Sequence, residues 1–318
     1  MVTKIYANAV AKYNEGKLLD AEKLRRLADA DFESAVKMLC DHGYGGGTVN
    51  EGQYDIDAFI TRETGKLIDY VLSDAPDPRL ARLLTARFLY GNAKAYYKAK
   101  ASGRYNEAAV YPMADAAVRE GIEKGEYAAL PSPMAEALGR LDALFSESAP
   151  DPKTIDIALT KAMFAEERTL ARALKNKPLQ KFVTVRIDTA NISAVLRARA
   201  LGMPWSALHE MTVAGGKLSE ERLRELFEAD DAAKALRETD YGALAGEDET
   251  LSLPRIETRA DDAADAVWET DAQNMQSFSP FVRYFYAQLR EYKTVKMILT
   301  CLKNNAREEI AVRLRQVL

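Results

Sequence analysis

Apolar residues recur three and four positions apart in most windows of this chain, and no stretch shows the apolar–polar alternation of a half-buried strand. That period belongs to helices that bury one face, so the chain is expected to be all-α. Leu24, Leu27, Val36 and Leu39 predict two short helices parted near Ala30-Asp31, and the glycine-rich run Gly43 to Gly47 stops the second. Phe59, Ile60, Leu67 and Val71 predict a longer helix that ends before Asp74-Ala75-Pro76-Asp77-Pro78. Further long helices are expected through Leu159 and Leu170 and from Pro178 to Gly202, with another helix after Pro254 and a final one from Pro280 into Leu302. Proline fits the first helical turn, where its missing N–H would have no intrahelical partner. Asp20 and Ser219 are expected N-caps, because their side-chain oxygens can accept from amides of the first turn.

The helical pattern repeats. Arg87, Asn92, Ala95, Lys98, Ala99, Lys100, Ala101 and Gly103 are followed 99 positions later by Arg186, Asn191, Ala194, Arg197, Ala198, Arg199, Ala200 and Gly202. A weaker copy runs through Thr294, Val295, Lys296 and Ile298. Pro78, Pro178 and Pro280 precede the three copies at similar distances. Around them, Leu18 to Leu27 resembles Lys217 to Leu226, and Tyr44-Gly45 resembles Tyr241-Gly242. The expected organisation is three helical repeats of about 100 residues, over 1–103, 104–202 and 203–318, packed as one body.

With 318 residues, 47% of them hydrophobic, the chain can bury a core without disulfides. Cys40 and Cys301 are expected to be buried and reduced. No apolar run reaches the roughly 20 residues of a membrane span, and the start, Met-Val-Thr-Lys-Ile-Tyr, lacks a signal peptide's apolar segment. A cytoplasmic protein, or one held at a membrane complex by other proteins, is expected. The net charge of −4 is unevenly spread: residues 82–104 carry six bases and no acid, and residues 219–250 carry eleven acids against four bases. An acidic chain without a recognised binding motif is a poor nucleic-acid binder.

Chemical motifs are thin. Gly43-Tyr44-Gly45-Gly46-Gly47-Thr48 lacks the lysine of a phosphate loop, and Gly215-Gly216-Lys217 is followed by Leu218, which cannot ligate magnesium. Both read as helix-end turns. His42 and His209 are the only histidines, and no second histidine stands four positions from His209. Glu166-Glu167-Arg168 has no Glu-x-x-His partner motif and reads as surface ion pairs. Asp261-Asp262-Ala263-Ala264-Asp265 has no second copy and reads as an exposed acidic turn rather than the metal site of an isoprenoid-diphosphate enzyme. No catalytic, cofactor-binding or metal-binding residue is expected. Asn92 and Asn191 either bond across a helix–helix contact or face a shared cavity.

Tyr6-Ala7-Asn8-Ala9-Val10-Ala11-Lys12 with Lys17-Leu18-Leu19-Asp20 resembles the start of the C-subunit family of V/A-type ATPases (ATP synthases), whose eukaryotic equivalent is the d subunit. Tyr44-Gly45, Asn92-Ala93-Lys94, Asn191-Ile192, Pro280 to Tyr284, Glu291-Tyr292-Lys293 and the tail through Arg313-Leu314 resemble it as well. The resemblance implies a funnel of three pseudo-threefold-related helical domains that is not catalytic. It implies a rotor subunit on the cytoplasmic face, joining the central shaft to the proteolipid ring and transmitting torque, with no small-molecule substrate. Whether protons or sodium ions are moved is left open. Equivalent placement and the lack of nearby acids in the sequence make Arg87, Lys94, Lys98, Arg186, Arg197, Arg199 and Lys296 the expected partner-binding residues. The competing reading is a helical-repeat adaptor with a concave peptide-binding surface; a period near 100 residues argues against it.

Overall fold

Short polar side chains set the starts of most helices. Thr3, Asp20, Asp31, Asp55, Asp151, Asn176, Ser219 and Asp231 each accept a hydrogen bond from an amide of the first turn that follows. An acceptor there satisfies one of the amides a helix start leaves open, worth about 1 kcal/mol each. The structure is a computed structural model and describes residues 2–47, 55–107, 110–146, 150–247 and 251–314. Thr48, Asp248 and Glu249, which enter the patterns above, lie outside the described residues.

Among the described residues the order is α1 (Lys4–Glu15), α2 (Ala21–Asp29), α3 (Phe32–Asp41), α4 (Ile56–Asp74), α5 (Pro78–Ser102), α6 (Ala116–Lys124), α7 (Ser132–Phe145) and α8 (Pro152–Ala173). It continues with α9 (Lys177–Ala200), α10 (Trp205–His209), α11 (Glu220–Glu228), α12 (Ala232–Arg237), α13 (Leu253–Asp265), α14 (Ser279–Lys303) and α15 (Arg307–Leu314). Short 3₁₀ turns occupy Tyr44–Gly47, Gly242–Leu244 and Ala266–Asp271, and no described residue is in a strand. The all-α expectation holds. Pro178 and Pro280 sit in the first turns of α9 and α14, and Pro78 begins α5.

The three long helices end alike. Gly103 after α5 and Gly202 after α9 have φ of 68° and 62°, and Asn305 after α14 has φ of 55°. A left-handed residue there lets following amides return to the helix's last carbonyls: Met203 N–H donates to Ala198 O at 2.9 Å, and Ala306 N–H to Cys301 O at 2.8 Å. Asparagine tolerates the conformation that glycine adopts freely.

The chain divides into two compact units. Unit 1 comprises residues 1–95, 106–115 and 271–318, and unit 2 comprises 96–105 and 116–270, so the division falls within α5. In unit 1, α14 is the central helix and packs against α1, α2, α3, α4 and α15. Phe281, Phe285, Val295, Ile298 and Leu299 on α14 are fully buried, and Phe281 stacks on Tyr70 of α4 at 5.5 Å. In unit 2, α9 has that place, packing against α8, α10, α11 and α13. Phe182 of α9 lies 5.0 Å from the ring of fully buried Trp268. Each side chain of this size contributes about 2 kcal/mol on burial.

Candidate partner-binding site

The seven basic residues expected to bind a partner are divided between the units, and the fold gives most of them partners of its own. Lys98 reaches Asp156 at 2.7 Å, Arg197 reaches Glu257 at 3.1 Å and Lys296 reaches Asp57 at 2.5 Å. Arg199 is spent on backbone, donating to the carbonyls of Leu226, Phe227 and Ala229 at the end of α11. Arg186 is mostly buried, bonds Glu167 at 2.6 Å and lies 5.5 Å from the ring centre of Phe164. Arg87, its counterpart 99 positions earlier, is exposed and rests over Phe88 at 5.6 Å. Lys94 is half-buried and engaged with a neighbour. The acids absent from the local sequence are supplied by helices far away in it. Exposed pairs such as Lys98–Asp156 are worth under about 1 kcal/mol, so Lys98, Arg197 and Lys296 can exchange partners cheaply. Arg186 cannot, because its release would strand a buried carboxylate.

Beneath these residues lies a set of polar clamps. Asn191 uses both ends of its amide on one residue, donating to Val213 O at 2.9 Å and accepting from Val213 N–H at 2.8 Å. Asn92 does the same to Tyr111, at 2.9 and 2.7 Å, and also donates to Asp115 at 2.6 Å. Asn8 of α1 donates to Met275 O and Ser277 O and accepts from Phe281 N–H at 3.1 Å. The two expectations for Asn92 and Asn191, a contact between helices or a shared cavity, are thus replaced by a third arrangement. A buried amide has the donor and acceptor of a peptide group, so it pins an irregular segment as a strand neighbour would.

Two carboxylates act in parallel with the amides. Asp188 of α9, fully buried, accepts from Lys217 N–H at 2.8 Å, Leu218 N–H at 3.0 Å and Tyr241 Oη at 2.6 Å. Glu291 of α14 accepts from Leu19 N–H, Tyr44 Oη and Gln288 Nε2. Leu19 and Leu218 immediately precede the N-caps Asp20 and Ser219, so both acids hold the start of a helix pair and the tyrosine at its end. Burial, then the carboxylate, push the Tyr44 and Tyr241 hydroxyls well above the usual phenol range. In unit 2, Asp142 accepts from Tyr97 at 2.9 Å, Lys100 at 2.8 Å and Tyr127 at 2.5 Å. Burial alone would raise its carboxyl, but those donors hold it below the usual value.

The remaining motifs resolve as structure. Gly215-Gly216 is a loop held between α10 and α11 rather than a helix end. Ala214 O accepts from Arg168, and a Cβ on Gly216 would lie 2.0 Å from Asp188 Oδ1. Glu166 and Glu167 are buried at 3% and 1% exposure, which corrects the expectation of surface ion pairs; Glu167 is the partner of Arg186. Asp261 to Asp265, expected as an exposed acidic turn, form the last turn of α13, with Asp261 and Asp262 exposed. Cys301 is buried, Cys40 is half-buried, and both are free thiols. Among the described residues no group of three or more His, Cys, Asp or Glu is placed to hold a metal ion. No described helix is long and apolar enough to cross a membrane.

Comparison with known proteins follows the same lines. The chain is similar to the C subunit of the V-type sodium ATPase of Enterococcus hirae, with 21% identity over 274 residues and 83% of each chain covered. It is similar to the C subunit of the A-type ATP synthase of Pyrococcus horikoshii, with 25% identity over 171 residues, covering 50% of this chain and 46% of that one. The C subunit of the V-type ATP synthase of Thermus thermophilus is 29% identical over 137 residues, 42% of each chain. A family model described as ATP synthase (C/AC39) subunit matches residues 7–313. Matched over almost its whole length, the chain belongs to the ATP synthase (C/AC39) subunit family, as a subunit and not as an enzyme.

Proposed function

We propose that this chain is a rotor subunit of a V/A-type rotary ATPase, a socket that joins the central shaft to the proteolipid ring on the cytoplasmic face and carries torque between them. The observation that carries this reading is the family match over residues 7–313. In this reading the repeats over 1–103, 104–202 and 203–318 surround the shaft with pseudo-threefold symmetry as a funnel. Support comes from the clamps: torque is carried only by a body that resists shear, and Asn8, Asn92, Asn191, Asp188 and Glu291 tie irregular segments to long helices. Close-packed interiors are stiff, and satisfied buried hydrogen bonds add rigidity at the joints.

Within the basic set, Arg87, Arg197 and Lys296 are proposed to touch a partner directly, since all three are exposed. Lys94 and Lys98 would flank them, and Arg186 and Arg199 would act by holding the surface in place. Polar contacts of this kind suit a joint that must assemble from soluble parts.

The test is affinity purification of the tagged chain from detergent-solubilised native membranes in which the intact ATPase is shown to survive. Stoichiometric recovery of shaft and proteolipid subunits is expected. Their absence would remove the rotor reading and favour the adaptor. Arg87→Glu with Lys296→Glu should then reduce recovery of the shaft at least fivefold while the chain stays folded; unchanged recovery would discard these two as contacts.

A further inference from the structure

Leu201, which caps α9, is 69% exposed, the highest value among the exposed large hydrophobic residues. Just beyond it, Met203 and Trp205 are half-exposed, and the Trp205 ring packs on half-exposed Phe227 of α11 at 5.5 Å. The surface is built, not frayed. The α9 end is closed by Gly202 and the Met203-to-Ala198 bond, and Arg199 holds the α11 end through three carbonyls. His209 stands 6.4 Å from Trp205 and 3.0 Å from Glu220.

Acids are concentrated in the stretch of chain that carries these apolar groups. Residues 201–231 hold seven acids and three bases, a net charge of −4 with His209 neutral. Glu221, Glu225 and Glu228 share one face of α11, beside the edge that carries Glu220 and Phe227. Glu210, Glu221 and Asp230 are exposed, and none pairs with a base among the described residues. Exposed aromatic and aliphatic anchors accompanied by unpaired acids suit a partner of opposite charge. A second copy of the chain would set acid against acid in a twofold contact, and an anionic bilayer would be repelled.

We propose that the end of α9, with Leu201, Trp205 and Phe227 and the exposed acids Glu210, Glu221 and Asp230 of the segment that follows it, docks a basic amphipathic segment of a partner protein. The segment inserts apolar side chains against Leu201 and Trp205 and sets lysines or arginines against the three acids. This inference does not depend on the rotary role.

The chain carries its own reporter. Trp205 and Trp268 are its two tryptophans, and Trp268 is fully buried, so acrylamide quenches Trp205. The probes are an amphipathic Leu/Lys helical peptide, a Leu/Glu peptide of the same apolar pattern, and a Leu/Lys peptide of scrambled order. The Leu/Lys peptide is expected to shield Trp205. Its affinity should fall at least tenfold in Glu210→Lys/Glu221→Lys and at least fivefold in Leu201→Ser, while Glu33→Lys on exposed α3 changes it less than twofold. The Leu/Glu and scrambled peptides should leave quenching unchanged. Equal shielding by all three peptides, or affinity indifferent to Leu201→Ser and to the double reversal, would overturn the proposal. So would shielding by phosphatidylcholine or phosphatidylglycerol vesicles, or self-association in sedimentation that Leu201→Ser abolishes.

Discussion

The two units are organised around central helices that solve the same problem over very different chain distances. In unit 2, Asp188 of α9 holds Lys217 and Leu218 N–H groups 29 and 30 residues ahead, with Tyr241 closing the site. In unit 1, Glu291 of α14 holds Leu19 N–H, 272 residues back, with Tyr44 in the same role. The extra methylene of glutamate and its 8% exposure mark a looser version than the fully enclosed aspartate. Closing the longer loop costs about 2 kcal/mol more, from roughly three doublings of loop length. Local closure lets unit 2 form its clamp from one contiguous stretch, whereas unit 1 is complete only when both ends of the chain are in place.

Separate reporters exist for the comparison, since both tryptophans lie in unit 2 and both cysteines in unit 1. The largest effect is expected from Arg186→Ala, which leaves Glu167 charged and buried. It should lower the tryptophan-reported urea transition by about 3–5 kcal/mol. Arg87→Ala, at the matching position 99 residues earlier, should cost under about 0.5 kcal/mol. Similar costs would mean that the two positions are not as different as burial makes them.

Next come the acids. Asp188→Ala orphans two amides and a phenol and should cost about 3 kcal/mol in the tryptophan transition. Glu291→Ala should cost about 2 kcal/mol, read as faster labelling of buried Cys301, because its site already admits some water. A reversed order would show that the long-range clamp is the stronger one. Gly216→Ala drives a Cβ to 2.0 Å from Asp188 Oδ1 and should cost about 2 kcal/mol. Gly45→Ala, at φ of +69° and 3.1 Å from Phe59, should cost about 1 kcal/mol.

A smaller, pH-dependent difference belongs to unit 2. The Asp142 carboxyl is held below its ordinary value of 3.8 in the folded chain. Its contribution is therefore complete above that value and disappears as pH falls through the lower folded one. Asp142→Asn should flatten the acid limb of the tryptophan-monitored stability profile below pH 4 and leave thiol labelling in unit 1 unchanged. An unaltered acid limb would remove Asp142 from the account. Lys98→Ala and Lys296→Ala break exposed pairs and should each shift stability by less than about 1 kcal/mol.

The local elements were largely legible. Asp20 and Ser219 cap the helices expected of them, Pro178 and Pro280 stand in first turns, and Gly103 and Gly202 end their helices. Asn92 and Asn191 stood out by their spacing, yet their targets, Tyr111 and Val213, lie in irregular segments without periodicity. Asp188 and Glu291 were missed as a pair, although each stands three residues before Asn191 or Thr294 in the matching copies. The difference between aspartate and glutamate hid that match. Glu166 and Glu167 misled in the other direction, because acids next to an arginine look solvent-facing until a second helix covers them.

The sequence by itself determined most of the helices and many of their starts and stops. These depend on caps, prolines and apolar spacing within a few residues, where the controlling contacts are local. Only the tertiary structure decided which charges are spent. Whether a base binds a carbonyl, a buried carboxylate or the solvent depends on helices tens to hundreds of residues away. Desolvation then makes Arg186 costly to free while Arg87 stays in water.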